Sequence, residues 1–153
     1  MNEGCVTIID DDRDARQMLA MALEAEGLEA KEVQSGLRLI STLHVDKPDV
    51  IVMEAALSWI DGIELCRSIK KNPAFRDVPV VIISVRRRSE DIVAGLQAGA
   101  VDYFPKPVHL GRLIPRLREI LASKRDGTQG AERRSSEEEE EQQTTTGEGE
   151  SEE

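Results

Sequence analysis

The stretch that decides the fold is PDVIVMEAALSWIDG, Pro48 to Gly62. Val50, Ile51, Val52 and Met53 form an unbroken apolar run, as in a parallel strand covered on both faces. The run ends on a single acid, Glu54. Further on, Asp61-Gly62 has the form of a helix N-cap, with Glu64 placed to complete a capping box. Strand, carboxylate, loop and capped helix in that order are how an α/β protein builds a site at the edge of its sheet.

The same unit recurs on both sides. Upstream, Val6–Ile9 leads into a helix from about Asp12 that carries Met18, Leu19, Ala22 and Leu23 on one face and ends at Gly27. A weaker strand, Leu28–Val33, precedes a helix capped by Ser35 with Leu37, Ile40 and Leu43 inward. The central helix turns Ile63, Cys66 and Ile69 to the core. Downstream, Val78–Ile83 is strongly β-branched. Ser89 then caps a helix with Ile92, Val93 and Leu96 that stops at Gly99. Val101–Phe104 is the last strand, before a helix over about Val108–Ser123 in which Pro115 removes the bond to the Gly111 carbonyl and predicts a kink. Five such units predict right-handed crossovers and a doubly wound, five-stranded parallel sheet of order 2-1-3-4-5, flavodoxin-like, with five helices.

Charge separates the chain into two parts, 1–125 and 126–153. The net charge of the 153 residues is −10. From Asp126 onward there are 11 acidic and 2 basic residues, a net of −9, which leaves 19 acidic against 18 basic before it. The tail, with five consecutive glutamates at 137–141 and no aromatic residue, is too polar to offset its ordering entropy and reads as disordered. The nearly neutral remainder gives no reason to expect direct nucleic-acid binding. No apolar run approaches the ~20 residues needed to cross a bilayer, and the N-terminus lacks a basic region followed by an apolar core, so the expectation is a soluble, cytoplasmic protein. Cys5 and Cys66, far apart and without CxxC spacing, read as buried thiols. His44 and His109 have no companion ligand and take no role.

Polar groups gather at the carboxyl ends of the strands: Asp10, Asp11 and Asp12 after the first, Glu54 after the third, Ser84 after the fourth, and Lys106 after the fifth. In a doubly wound sheet these loops share one edge, and the first and third strands flank the topological switch point. Acids in loops are usually solvated, and Asp12 is first of all a helix cap. Acids, a hydroxyl and an ammonium at four matching strand ends are a far more specific pattern.

On these residues the chain, from about 4 to 123, resembles a response-regulator receiver (CheY-like) domain. The resemblance implies that Asp10 and Asp11 occupy the Mg²⁺-binding acid pair, Glu54 the phosphoacceptor position, Ser84 and Lys106 the phosphoryl-contacting positions, and Tyr103 the aromatic position that turns inward on activation. Three residues depart from the family pattern. Glu54 replaces the phosphoacceptor Asp, which moves the carboxylate by roughly 1.5 Å, one bond length; a misplacement near 1 Å can cost on the order of 10²-fold in rate. Val85 replaces a usually small residue and is expected to crowd the phosphoryl space. Ser58 stands where Pro is frequent.

The reading that follows is an atypical pseudo-receiver, a non-enzymatic signalling module in which a Glu54–Lys106 ion pair imitates part of the phosphorylated state. Mg²⁺ at Asp10 and Asp11 is expected to be weak or absent. Output is expected through a protein partner on the fourth helix, fifth strand and fifth helix, with homodimerisation left open. The alternative is a phosphorylation-competent receiver that uses Mg²⁺. A nucleotide- or flavin-binding protein of the same topology is disfavoured, because three aspartates replace the glycines and free N–H groups of a phosphate loop. Arg86, Arg87 and Arg88 read either as a solvated loop or as a basic rim for an acidic partner or the chain's own tail. Arg112, Arg116 and Arg118 add positive charge to the last helix.

Overall fold

A computed structural model describes residues 3–124; the acidic tail lies outside the described residues. The elements are β1 (Cys5–Ile9), α1 (Arg13–Ala25), β2 (Glu29–Val33), α2 (Gly36–Val45), β3 (Val50–Met53), α3 (Gly62–Lys71), β4 (Val80–Ser84), α4 (Ser89–Gln97) and β5 (Asp102–Pro105). A last helix, α5, starts at residue 110 and is helical to residue 124.

All five strands are parallel, in the order β2-β1-β3-β4-β5. The centre of the sheet is apolar because helices cover both faces. Along β3, Ile51 and Met53 join the cluster containing Leu39, Leu65 and Ile69, whereas Val50 and Val52 join the cluster containing Leu23, Leu113 and Leu117. Register places the site. Ile9 is opposite Met53 and Ser84 is opposite Pro105, so Asp10 and Glu54 leave the sheet side by side and Lys106 leaves beside Ser84.

Asp12, Ser35 and Asp61 cap α1, α2 and α3 as the sequence predicts, each accepting from a backbone N–H of the first turn. Gly27 and Gly99 close α1 and α4 with φ of +86° and +110°, a conformation that a side chain would strain. Several local expectations are corrected. Glu64 pairs with Arg67 instead of completing a capping box. Arg88, not Ser89, is the N-cap of α4, and its N–H is taken by the Asp91 carboxylate at 3.2 Å. Met18 is 72% exposed and Leu37 76% exposed. Both helices hold more apolar residues than one contact stripe can cover, and the stripe that wins is Arg16, Ala20 and Leu23 in α1 and Gly36, Leu39 and Leu43 in α2. Val93 and Leu96 of α4 are exposed as well, because the helix packs through Gly95, where an added Cβ would lie 2.8 Å from Tyr103 Cδ2. Pro115 lies within α5, whose helical assignment continues through it.

Gly62 is the tightest point of the central unit: a Cβ there would run into the Glu54 carbonyl oxygen and lie 2.7 Å from Ala55 Cα. Both obstacles are backbone at the end of β3, so neither can rotate away. Gly62→Ala is therefore expected to destabilise the fold by about 3 kcal/mol, the upper part of the range for overpacking, as read from chemical denaturation. A loss under ~0.5 kcal/mol, the size of an ordinary surface substitution, would mean the Glu54–Gly62 loop is free to shift.

Candidate functional site

Three strand ends meet at one ammonium. Lys106 Nζ lies 2.8 Å from Asp10 Oδ2 and 2.9 Å from Glu54 Oε2. Glu54 is 4% exposed, and a carboxylate this buried persists only with partners. Its Oε1 accepts from Ser84 Oγ at 2.5 Å, from the Ala56 N–H at 2.9 Å and from the Val85 N–H at 3.3 Å. Its Oε2 faces the Lys106 ammonium at 2.9 Å. Asp10 is fixed from both ends: Oδ1 accepts from the Asp12 N–H at 2.9 Å, and its carbonyl accepts from Arg16 Nη1 at 2.7 Å. Burial alone would lower the Lys106 pKa; the Asp10 and Glu54 carboxylates outweigh it and hold the value above that of a free lysine.

From this centre a hydrogen-bond chain runs outward. Ser84 Oγ accepts from the Arg86 N–H at 3.0 Å, and the Arg86 carbonyl accepts from Tyr103 Oη at 2.7 Å. Tyr103 is buried, and its phenol pKa is raised chiefly by that burial. The Arg86 side chain turns the other way, to Asp61 Oδ2 at 2.8 Å. Burial raises the Asp61 pKa, but the bonds from Arg86 and the Ile63 N–H outweigh it and leave the carboxyl below its usual range. Arg86 is thus partly exposed and paired with Asp61, not a free member of a basic rim. Arg116 pairs with Asp102 and Glu119, and Arg118 with Glu3 and Glu26. Cys66 is buried, which pushes its thiol up to about 11, while Cys5 is only half-buried.

Of the residues singled out in the sequence, Asp10, Glu54, Ser84 and Lys106 come together and Tyr103 joins through Arg86. Asp11 does not. It is exposed, and its Oδ2 accepts both the N–H and the hydroxyl of Ser58. A proline at 58 would have no N–H to offer, so this departure directly sequesters one acid of the pair. Val85 is also corrected: it is 60% exposed, so its side chain does not overpack the site. Its contribution is a backbone N–H. Three members escaped the sequence reading. The Ala56 and Val85 amides leave no trace in residue identity, and the Arg86–Asp61 pair joins positions 25 apart, with no local spacing to reveal it.

Both Asp10 oxygens and Asp11 Oδ2 face protein donors. The cation held by Asp10 and Glu54 is Lys106.

Comparison with known proteins matches these features to one family. The response regulator receiver domain family covers residues 6–118. The response regulator MprA of Mycolicibacterium vanbaalenii is 34% identical over 116 residues, covering 76% of this chain and 49% of that protein. A two-component response regulator structure from Clostridium difficile superposes with a TM-score of 0.72 at 30% identity, covering 77% of this chain and 95% of the other. The receiver domain of Francisella response regulator 1452 gives 0.73 at 27% identity, covering 78% and 97%. The chain belongs to the response regulator receiver domain family, the signalling modules of two-component systems. It spans about half the length of the curated relatives it matches. Among the described residues no helix is long and apolar enough to cross a membrane.

Removing the shared cation should leave two adjacent carboxylates unbalanced. Lys106→Met is expected to lose about 3 kcal/mol at neutral pH, the lower end for breaking a buried pair, because the lysine side chain keeps 24% exposure. The pH course follows from the sign of the shift. A lysine whose folded pKa is raised contributes fully below its unfolded value near 10.4 and loses that contribution as pH rises through the folded value. The gap in Tm between the two proteins should therefore stay open across pH 7–9 and close above pH ~10.5. An equal Tm at pH 7 would show that Lys106 contributes nothing.

Proposed function

We propose that this chain is an atypical receiver that presents its partner-binding state without a phosphorylation cycle, with the Glu54 carboxylate in place of a phosphoryl group. The observation that carries this reading is the ligation of Glu54. A phosphoryl group on the acceptor would need the Ser84 hydroxyl and the Lys106 ammonium, and the Glu54 carboxylate already takes both, together with the amides of Ala56 and Val85. Tyr103 is turned inward onto the Arg86 carbonyl, the orientation that the family resemblance associates with activation. The acceptor is thus occupied by its own contacts, and a nucleophile whose lone pairs are held by four donors is poorly placed for attack.

In this reading Mg²⁺ is weak or absent, since Lys106 already neutralises Asp10 and Ser58 holds Asp11. The protein is a binding module with no chemistry of its own, acting in the cytoplasm through a protein partner on α4, β5 and α5, where Val93, Leu96 and Val101 are exposed beside buried Tyr103.

The test is incubation of the full chain with acetyl phosphate and Mg²⁺ followed by intact mass spectrometry. No adduct is expected on the native protein. One phosphoryl group mapped to Glu54 would overturn the reading in favour of a competent receiver. Glu54→Asp shortens the acid and releases the Ser84 and Lys106 contacts, so it should become labelled. Because Val85 is exposed, adding Val85→Ala should change the initial labelling rate by less than about threefold, under ~0.7 kcal/mol. A tenfold gain from the second substitution would mean that Val85 does obstruct the phosphoryl space.

A further inference from the structure

The loop between β4 and α4, residues 85–88, has no apolar anchor: Val85 is 60% exposed, and Arg87 and Arg88 are exposed as well. Arg86 is the residue of this loop whose side chain is fixed on another element, and it is held at three points. Its N–H donates to Ser84 Oγ at 3.0 Å, its Nη1 donates to Asp61 Oδ2 at 2.8 Å, and its carbonyl accepts from Tyr103 Oη at 2.7 Å. Asp61 is itself firmly placed. Its Oδ1 accepts the Ile63 N–H at 2.8 Å as the cap of α3, its carbonyl accepts the Leu65 N–H at 2.9 Å, and its backbone is bridged to Ala56. Oδ2 is thereby left for Arg86, and the pair ties a loop without an apolar anchor to a fixed point on α3.

We infer that Arg86 is a positioning residue for Tyr103: its side chain, latched on Asp61, holds its carbonyl where the inward Tyr103 hydroxyl can donate to it. With the N–H and the side chain both tied, the Arg86 Cα is fixed, and its carbonyl meets the tyrosine from a set position. Without the latch, Arg86 keeps only its bond to Ser84, and Tyr103 loses a fixed acceptor. A buried phenol without an acceptor is disfavoured, so the balance shifts toward an outward ring. Both partners of the latch are partly exposed, at 34% and 41% of their side chains. An exposed pair contributes at most a factor of about five (~1 kcal/mol, at ~1.4 kcal/mol per tenfold). That is too little to hold a fold together, yet enough to set how often Tyr103 leaves its site. The latch deepens the function proposed above and rests on its inward tyrosine. Its test uses no phosphodonor, so labelling of Glu54 would overturn that function and leave the latch, whereas an unaffected Tyr103 would overturn the latch alone.

Tyr103 is the only tyrosine of the chain, so its hydroxyl can be followed without ambiguity. The full chain is treated with N-acetylimidazole, and O-acetylation of Tyr103 is timed by peptide mass spectrometry; the inward, buried phenol reacts when it turns out. Asp61→Asn keeps an N-cap, since asparagine caps as well as aspartate, but puts an NH₂ where Oδ2 accepts from Arg86. Arg86→Met keeps the stem and removes the charge. Each variant should raise the acetylation rate by at least about twofold and up to about fivefold. The double variant should go no further than the larger single effect, because both substitutions remove the same pair. Alkylation of the buried Cys66 in the same samples should stay at the native rate; a purely structural role would raise both. A rise below about twofold in either folded variant, effects that multiply in the double variant, or a Cys66 rate that rises in step with that of Tyr103 would each overturn the latch. Should one variant fail to fold, the other gives the reading by itself.

Discussion

One ammonium between two buried carboxylates is the constraint around which this sheet edge is organised. Asp10 and Glu54 leave adjacent strands in register, so their charges are forced together by the ladder itself. At ~4 Å and an effective dielectric near 20, two like charges repel by about 4 kcal/mol. Lys106, delivered by β5 to within 3 Å of both, turns that repulsion into attraction. One positive charge against two negative ones still leaves an excess. It is spread over the Ser84 hydroxyl and the amides of Ala56, Val85 and Asp12. The loops after β1, β3 and β4 are thus ordered by the same electrostatic need.

That need links the site to the surface. Ser84 cannot serve Glu54 without also fixing the position at which its oxygen receives the Arg86 N–H, and the Arg86 carbonyl then sets where Tyr103 can place its hydroxyl. Tyr103 in turn lies against Gly95, the one position of α4 with no side chain to displace it. A shift of the Glu54 carboxylate by the length of one bond would therefore be felt at α4. Arg86 adds a second tether, from the same residue to the cap of α3, so the β4–α4 loop is held at both its main chain and its side chain.

The fold was legible in the sequence because the apolar periods are unambiguous at the centre of the sheet, where both faces are covered and every residue of β3 and β4 is buried. It was less legible at the periphery. Met18 and Leu37 look inward by composition, yet short helices near the sheet edges have room for only one apolar stripe each. The positions of Asp10, Glu54, Ser84 and Lys106 followed from topology alone, since strand ends in a parallel sheet share an edge. The state of Asp11 did not. Its removal from the cluster depends on a hydroxyl and an amide at Ser58, 47 residues away, and no periodicity reports such a contact. Val85 misled for a related reason: residue type suggests bulk at the site, but the backbone turns its side chain outward and its N–H inward.

The substitution at position 54 and the one at position 58 act in the same direction. A longer acid at 54 reaches Lys106 and Ser84 without any added group, while a residue with an N–H and a hydroxyl at 58 draws Asp11 away from Asp10. The edge is a closed network in which Asp10, Asp11 and Glu54 each have protein donors. Closure of that kind favours a single geometry, because each alternative placement of Glu54 would leave either its own charge or that of Lys106 buried without a partner. The rigidity of the edge is then a consequence of charge balance, and the helix surface that Tyr103 supports inherits it.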